Sequence, residues 1–143
     1  MYRKILVALE NGPADTRLLP HIAEFAGKMG SQLLLLHVAD GWAARNYDQL
    51  NLAASDEMKA DQDYLQAMAR QLTATGLQAE ILLALGNPPN EIVKAAEAHG
   101  CDLIALASHG HKLLGDLVHG STIDRVRHNT TIPLLVVSAK QKG

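Results

Sequence analysis

Apolar residues fall into five short runs, and polar residues do not alternate with apolar ones inside any of them. Runs of this kind are typical of strands buried on both faces, as in a parallel sheet covered by helices. The pattern therefore predicts five buried strands. They are Ile5–Leu9, Leu33–Val38, Ile81–Leu85, Leu103–Ala107 and Ile132–Val137.

The first two long segments between these runs carry apolar residues at helical spacing, and each ends at a glycine, Gly30 or Gly76. Glycine just past the last periodic residue is a common helix stop. Pro20 fits the first helix only if it lies near the first turns. The first stripe is Leu18, Leu19, Ile22, Ala23, Phe25, Ala26 and Met29, and the second is Met58, Leu65, Met68, Ala69 and Leu72.

The third helix has the clearest boundaries. Asn87 can cap it, Pro88 suits its first position and Gly100 can end it. Its inward face carries Ile92, Val93, Ala95 and Ala96. A fourth helix is predicted to begin near Gly120 and to end before Pro133.

Strand and helix patterns alternate along the whole chain, which predicts an α/β fold with right-handed crossovers. The length of 143 residues suits one domain, residues 1–143. In open sheets of this class, ligands bind beyond the carboxyl ends of the strands, where the strand order reverses. The segment Asp40–Ala54 is interpreted as a loop over that edge or as an irregular helix start.

The strongest functional signal follows the fourth predicted strand. The chain reads Ala107-Ser108-His109-Gly110, then nine residues, then Gly120-Ser121-Thr122. Glycine permits close approach of a ligand to the backbone, and the first turn of a helix offers unpaired N–H groups. A strand, a glycine-containing loop and a helix start together predict an anion site, and phosphate is the favoured anion. The alternative is that these glycines serve only the turns.

Composition narrows the function class. Apolar residues make up 48% of the chain, aromatic residues only 3%, and the net charge is −2. This balance gives no general attraction to nucleic acid or to an anionic membrane. The single cysteine, Cys101, excludes an intrachain disulfide, and no apolar run is long enough to span a bilayer. We therefore expect a cytoplasmic protein without nucleic-acid or membrane partners.

Two standard nucleotide motifs do not fit. Gly110 and Gly115 have the glycine spacing of a P-loop, but Asp116 stands where the motif requires lysine. The stretch from Gly115 to Ser121 fails for the same reason, because Ser121 replaces that lysine. No G-x-G-x-x-G follows the first strand. An ordinary P-loop NTPase and a dinucleotide-binding fingerprint are both excluded.

Histidines near the glycines suggest a metal site as an alternative. His109, His111 and His119 could hold zinc, but no thiol lies near them in the sequence. We expect no metal site, and we interpret His111 and Lys112 as added donors near the phosphate. His37 lies inside a predicted strand and is interpreted as a satisfied histidine of the core or the sheet edge.

Two further residues have a functional and a structural interpretation. Glu10 ends the first strand, where a carboxylate can accept hydrogen bonds from ribose hydroxyls. It could equally cap a helix that begins near Pro13 or Ala14. Cys101 has no evident base partner and is predicted to be packed rather than nucleophilic. No catalytic residue can be assigned.

Over its whole length the chain resembles the universal stress protein family. Four stretches carry the resemblance. They are Lys4-Ile5-Leu6-Val7-Ala8-Leu9-Glu10, Leu34-Leu35-Leu36-His37-Val38, Gly86-Asn87-Pro88 through Ile92-Val93, and Ala107–Ser121 followed by Ile132-Pro133-Leu134-Leu135-Val136-Val137. With this resemblance we expect a single doubly wound sheet of five parallel strands, order 3-2-1-4-5, with helices on both faces.

The resemblance also implies an adenine-nucleotide site like that of the family's ATP-binding members. Phosphate-binding positions fall on Gly110, Gly120, Ser121 and Thr122, with His109 and His111 in the same loop. Glu10 stands where such members usually carry aspartate beside the ribose. Ala8 and Leu9 line the adenine pocket, and the main chain of Val38 reads the base. Ala107 replaces the family's first glycine, so its methyl group is expected either to crowd the ribose or to require a small shift.

The resemblance implies ATP or AMP as the ligand, a divalent ion such as Mg²⁺ beside the phosphates, and a homodimer through Ile132–Val137. An apolar edge strand favours such pairing on physical grounds. The leading hypothesis is a dimeric regulatory module of the stress response. Hydrolysis should be slow, since no lysine, arginine finger or water-positioning residue can be named. The alternatives are a dimeric scaffold with a vestigial site and, third, an ATPase or nucleotidyl transferase.

Overall fold

In the part of the chain that the structure describes, five parallel strands form one sheet in the order β3-β2-β1-β4-β5. The structure is a computed structural model that describes residues 1–40, 52–109 and 118–140, with side chains for residues 1–39, 56–109 and 122–140. The predicted strand order and the parallel arrangement are confirmed. The strands are β1 (Lys4–Ala8), β2 (Gln32–Asp40), β3 (Ala79–Gly86), β4 (Leu103–Ser108) and β5 (Leu134–Ser138).

Among the described residues, four helices cover the two faces of this sheet. They are α1 (Asp15–Met29), α2 (Leu52–Ala74), α3 (Pro88–Ala98) and α4 (Val118–Asn129). Alternate side chains of each strand point to opposite faces. On β2, Leu33 and Leu35 pack under α1 and α2, whereas Leu34 and Leu36 pack under α3 and α4. The sheet is therefore apolar on both sides, which explains why its strands show no polar alternation.

The predicted element boundaries need small corrections. The last strand begins at Leu134, not at Ile132, because Pro133 has no N–H to donate to a strand ladder. The carbonyl of Pro133 still accepts a hydrogen bond from the N–H of Ile104, at 3.0 Å. The segment Asp40–Ala54 is interpreted as a loop or an irregular helix start, and its last three residues belong to helix α2, which begins at Leu52. Residues 41–51 lie outside the described part.

The sequence signals of helix α3 are confirmed. Asn87 has extended backbone angles and its side chain accepts a 3.5 Å hydrogen bond from the N–H of Asn90. Pro88 occupies the first helical position, where its missing N–H costs nothing. Gly100, at φ +69°, follows the helix in the left-handed conformation that glycine adopts without strain. Because β3 ends at Gly86 and α3 begins at Pro88, the short loop between them lies at the carboxyl end of β3.

Strand β1 is fastened to β4 at the opposite, amino-terminal edge. The carboxylate of Asp102 accepts hydrogen bonds from the N–H groups of Arg3 and Lys4, at 3.0 and 3.1 Å. Burial acts to raise the pKa of Asp102, but these N–H groups outweigh it and the pKa is lowered. The carboxylate therefore stabilises the folded state only while it is ionised.

None of the helices in the described ranges is long and apolar enough to cross a membrane.

We expect Asp102→Asn to lower the free energy of unfolding at pH 7 by about 1 kcal/mol, a low value because the carboxyl group is partly solvated. A group with a lowered folded-state pKa stabilises above its unfolded pKa and loses this effect as the pH falls through the folded pKa. The deficit of the variant should therefore shrink below about pH 4. Urea titrations from pH 7 to pH 3 measure it, with exposed Glu97→Gln as the control. A deficit that stays constant across this range would contradict the assignment.

Candidate functional site

Two titratable side chains meet where the strand order reverses. Glu10 follows β1 and His109 follows β4, and these strands are neighbours in the sheet. His109 Nε2 lies 2.8 Å from both carboxylate oxygens of Glu10. Because an ionised carboxylate only accepts, the imidazole nitrogen is the donor in this pair. The Glu10 side chain is 25% exposed, beyond the carboxyl end of β1.

The backbone that carries Glu10 is held by a second carboxylate. Asp15, in the first turn of α1, is 3% exposed. Its two oxygens accept hydrogen bonds from the N–H groups of Glu10 and Asn11, at 3.0 and 2.9 Å. Helix α1 starts after Ala14, which has no side-chain cap hydrogen bond, and the carboxylate that accepts the N–H groups of the preceding turn is that of Asp15, not that of Glu10. The capping interpretation of Glu10 is therefore not needed.

Helix α2 contacts the same turn from the other side. The Tyr64 hydroxyl donates a 2.6 Å hydrogen bond to Asp15 Oδ2. Burial, this hydrogen bond and the negative charge of Asp15 all raise the pKa of Tyr64 above its usual range. The hydroxyl therefore remains protonated and keeps its role as donor.

A polar chain connects α2 to the ends of β1 and β2. The side-chain amide of Asn11 donates to Asp61 Oδ1 at 2.9 Å, and Asp61 Oδ2 lies 3.4 Å from His37 Nε2. His37 Nδ1 lies 2.8 Å from the carbonyl oxygen of Leu9, which can only accept. The prediction that His37 is a satisfied histidine is confirmed. Asn11 adopts the left-handed conformation, at φ +59°.

The residues predicted to surround the base and sugar lie at the carboxyl ends of β1, β2 and β4. Ala8 and Val38 are half-buried against the core under α3 and α4. Leu9 and Ala107 are 3% and 6% exposed and belong to the core under α1 and α2. The Leu9 N–H donates to the carbonyl of Leu36 at 2.8 Å, and its own carbonyl faces His37. Both backbone groups of Leu9 are therefore engaged within the protein.

The predicted phosphate residues are described only in part. The backbone of Gly120 lies in the first turn of α4, Ser121 follows, and Thr122 is 8% exposed. Gly110 and His111 lie outside the described residues. Within the described ranges, no group of three His, Cys, Asp or Glu side chains could hold a metal ion. The side chains of His111 and His119, and with them the predicted histidine cluster around His109, lie outside the described residues.

Cys101 carries no sign of reactivity. Its side chain is 5% exposed and packs in the core under α3 and α4. Burial raises the pKa of its thiol to about 11, so the thiolate is scarce at neutral pH. The prediction of a packed, non-nucleophilic cysteine agrees with this geometry.

Comparison with known proteins decides the family. The Universal stress protein family matches residues 1–138 of the chain. The chain belongs to the universal stress protein family. Universal stress protein MJ0577 of Methanocaldococcus jannaschii is 27% identical over an alignment of 157 positions, which covers 98% of this chain and 97% of that protein.

Solved universal stress proteins have the same fold. The MJ0577 structure superimposes with a TM-score of 0.82 at 26% identity, over 99% of each chain. A universal stress protein in complex with cAMP has a TM-score of 0.69 at 17% identity, covering 97% of this chain and 98% of its own. The Archaeoglobus fulgidus protein in complex with dAMP has a TM-score of 0.70 at 20% identity, covering 95% and 98%. The last two likenesses concern the fold alone.

In this universal stress protein, the residues that hold the Glu10 turn are not predicted by the sequence patterns. Asp15, Tyr64 and Asp61 belong to no motif, and the contacts of α2 with this turn join residues about fifty positions apart. One signal was present. Asp61 lies four residues before Leu65 on the apolar stripe of α2, so a charged residue stands on a buried helix face. A buried charge of this kind requires a partner.

Proposed function

We propose that this universal stress protein is a dimeric regulatory module that binds an adenine nucleotide at the carboxyl edge of its sheet, between β1 and β4. One observation carries the proposal: the Glu10 carboxylate lies beside His109, at 2.8 Å, where the strand order reverses and α4 begins beyond the same edge. Ligands of doubly wound sheets bind at this point. Relatives with this fold bind cAMP and dAMP, which supports an adenylate.

The phosphates are assigned to the loop after β4 and to the start of α4. Gly110, Gly120, Ser121 and Thr122 would bind them through N–H groups and hydroxyls, with His111 as a further donor. Gly120 lies in the first turn of α4, where N–H groups lack helical partners and the helix dipole favours an anion. A divalent ion such as Mg²⁺ would neutralise part of the charge of bound ATP.

The ribose is assigned to Glu10, whose ionised carboxylate accepts hydrogen bonds from hydroxyl groups. His109 would hold that carboxylate in place, and both His109 and the ribose hydroxyls would donate hydrogen bonds to it. The base is assigned to the main chain of Val38, with Ala8 and Leu9 shaping the pocket. Since Leu9 is 3% exposed and both of its backbone groups are already engaged, it would support the pocket from the core rather than bind the base by hydrogen bonds.

Ala107 favours the second candidate function, a dimeric scaffold with a vestigial site, because a methyl group replaces glycine near the expected ribose. Its burial argues against that candidate. Ala107 is 6% exposed and packs in the core under α1 and α2. A methyl group directed into a packed core takes little space from a ligand at the strand ends. We therefore propose a functional site, with slow hydrolysis at most, in a cytoplasmic protein.

Calorimetric titration of the purified protein with AMP, ATP and GTP tests this function, after any co-purified ligand has been removed and identified by chromatography. We expect AMP or ATP to bind at least about tenfold more tightly than GTP, because the base is read by fixed main-chain groups. Saturation at about 100 times the dissociation constant should stabilise the fold by about 2.7 kcal/mol. No heat and no thermal shift with millimolar adenylates would favour the scaffold instead.

A further inference from the structure

Helix α2 reaches the turn that carries Glu10 at two points. Asp61 and Tyr64 are three residues apart, so they lie on the same face of the helix. Asp61 accepts from the side chain of Asn11, and Tyr64 donates to Asp15, which in turn accepts from the N–H groups of Glu10 and Asn11. The contacts form a continuous path from α2 to the backbone of Glu10.

These groups are buried and mutually satisfied. Asp15 and Asp61 are 3% and 8% exposed, and in the described part of the chain no buried side-chain polar atom lacks a hydrogen-bond partner. Buried polar networks of this type hold one geometry, because any displacement leaves a polar group unpaired at a cost. Removing one member should therefore release the turn rather than merely weaken the core.

Asp15 holds two donors of this turn at once. Asn11 is at φ +59°, a left-handed conformation that asparagine adopts more readily than most other non-glycine residues. Two successive N–H groups, those of Glu10 and Asn11, point at one carboxyl group. If Asp15 turns away, both donors and the direction of the Glu10 side chain become free to change.

We propose that Tyr64 and Asp61 of α2 are positioning residues for Glu10, and that they set the ribose preference of the site. The inference rests on the proposed function for its nucleotide readout only. The described contacts of these two residues reach Asn11 and Asp15. They act through Asp15 and Asn11, which fix the backbone from which the Glu10 carboxylate projects.

The first test measures binding of AMP and of 2′,3′-dideoxy-AMP, which lacks the ribose hydroxyls. Wild-type protein should prefer AMP by about tenfold, as expected for hydrogen bonds to a charged acceptor. Tyr64→Phe and Asp61→Ala should reduce this preference to about threefold or less, with the affinity for dideoxy-AMP nearly unchanged. An equal loss for both ligands, or no loss, would overturn the proposal.

Conservative variants separate positioning from general damage. Asp61→Asn keeps an acceptor oxygen for Asn11 and can donate to His37 Nε2, so it should retain the preference. Tyr2→Phe removes a hydroxyl at the amino-terminal edge of the sheet and should also retain it. If Asp61→Asn loses as much as Asp61→Ala, or Tyr2→Phe as much as Tyr64→Phe, the network does not position Glu10.

The second test needs no nucleotide. Amide hydrogen exchange by NMR follows the N–H groups of Glu10 and Asn11 directly. In Tyr64→Phe and Asp61→Ala these two amides should exchange at least about tenfold faster, while core amides such as that of Leu35 keep their protection. If wild-type protein binds no adenylate, the proposed function fails but this experiment still decides whether α2 holds the turn. Unchanged exchange at both amides would overturn the inference.

Discussion

Gly120→Asp should abolish adenylate binding while leaving the protein folded. The substitution places a carboxylate in the first turn of α4, where the phosphates are proposed to lie. Juxtaposing the new carboxylate with the phosphate would cost several kcal/mol, so the affinity for AMP should fall about 100-fold or more. Calorimetric titration with AMP measures the loss.

The same charge should not harm the fold. A negative side chain in the first turn favours the helix dipole, and replacing glycine in a helix reduces the entropy lost on folding. The melting temperature of Gly120→Asp should therefore equal or exceed that of the wild type. Loss of binding in a variant that is at least as stable cannot be attributed to unfolding.

Gly27→Asp is the matched control for this experiment. Gly27 is exposed within α1, and a Cβ atom added there meets no other atom within 4 Å. Its substitution changes the net charge equally but far from the proposed cradle, so AMP affinity should be unchanged. If Gly120→Asp binds AMP as well as the wild type does, the phosphates do not lie at α4.

Val136→Lys should convert the proposed dimer into a monomer. Val136 lies on β5, an edge strand of the sheet, and it is 43% exposed in the single chain. An exposed apolar edge strand is a surface on which another chain can pair. A lysine at the centre of that interface would be buried without a partner, which should weaken dimerisation about 100-fold or more.

Analytical ultracentrifugation across a range of protein concentrations measures this effect. The wild type should sediment at twice the chain mass of 15.4 kDa, and Val136→Lys at the chain mass. Leu85→Lys is the control, because Leu85 is 42% exposed on β3, the other edge strand. A dimer that survives Val136→Lys but not Leu85→Lys would place the interface on β3 and contradict this prediction.

The strands and helices were predictable because their signals are local. Continuous apolar runs showed which strands are buried on both faces, and Asn87, Pro88 and Gly100 marked the ends of α3 within a few residues. The boundary errors have local causes too. A run of apolar side chains continues through Pro133, but a strand ladder requires the N–H that proline lacks.

The candidate site was predictable only as far as strand ends determine it. Glu10 and His109 were expected at one edge, since both follow strands of a parallel sheet. Their 2.8 Å contact was not, because it depends on side-chain length and rotamer. The support from Asp61 and Tyr64 was missed altogether. Residues about fifty positions away meet the turn only after α2 packs, and no spacing rule relates them.

A crystal structure of the protein with bound AMP would locate the nucleotide. We expect the ribose beside Glu10, between the ends of β1 and β4, and the phosphate at the amino-terminal turn of α4. Crystals grown at saturating AMP that show this edge empty, or the nucleotide bound at another surface, would contradict it.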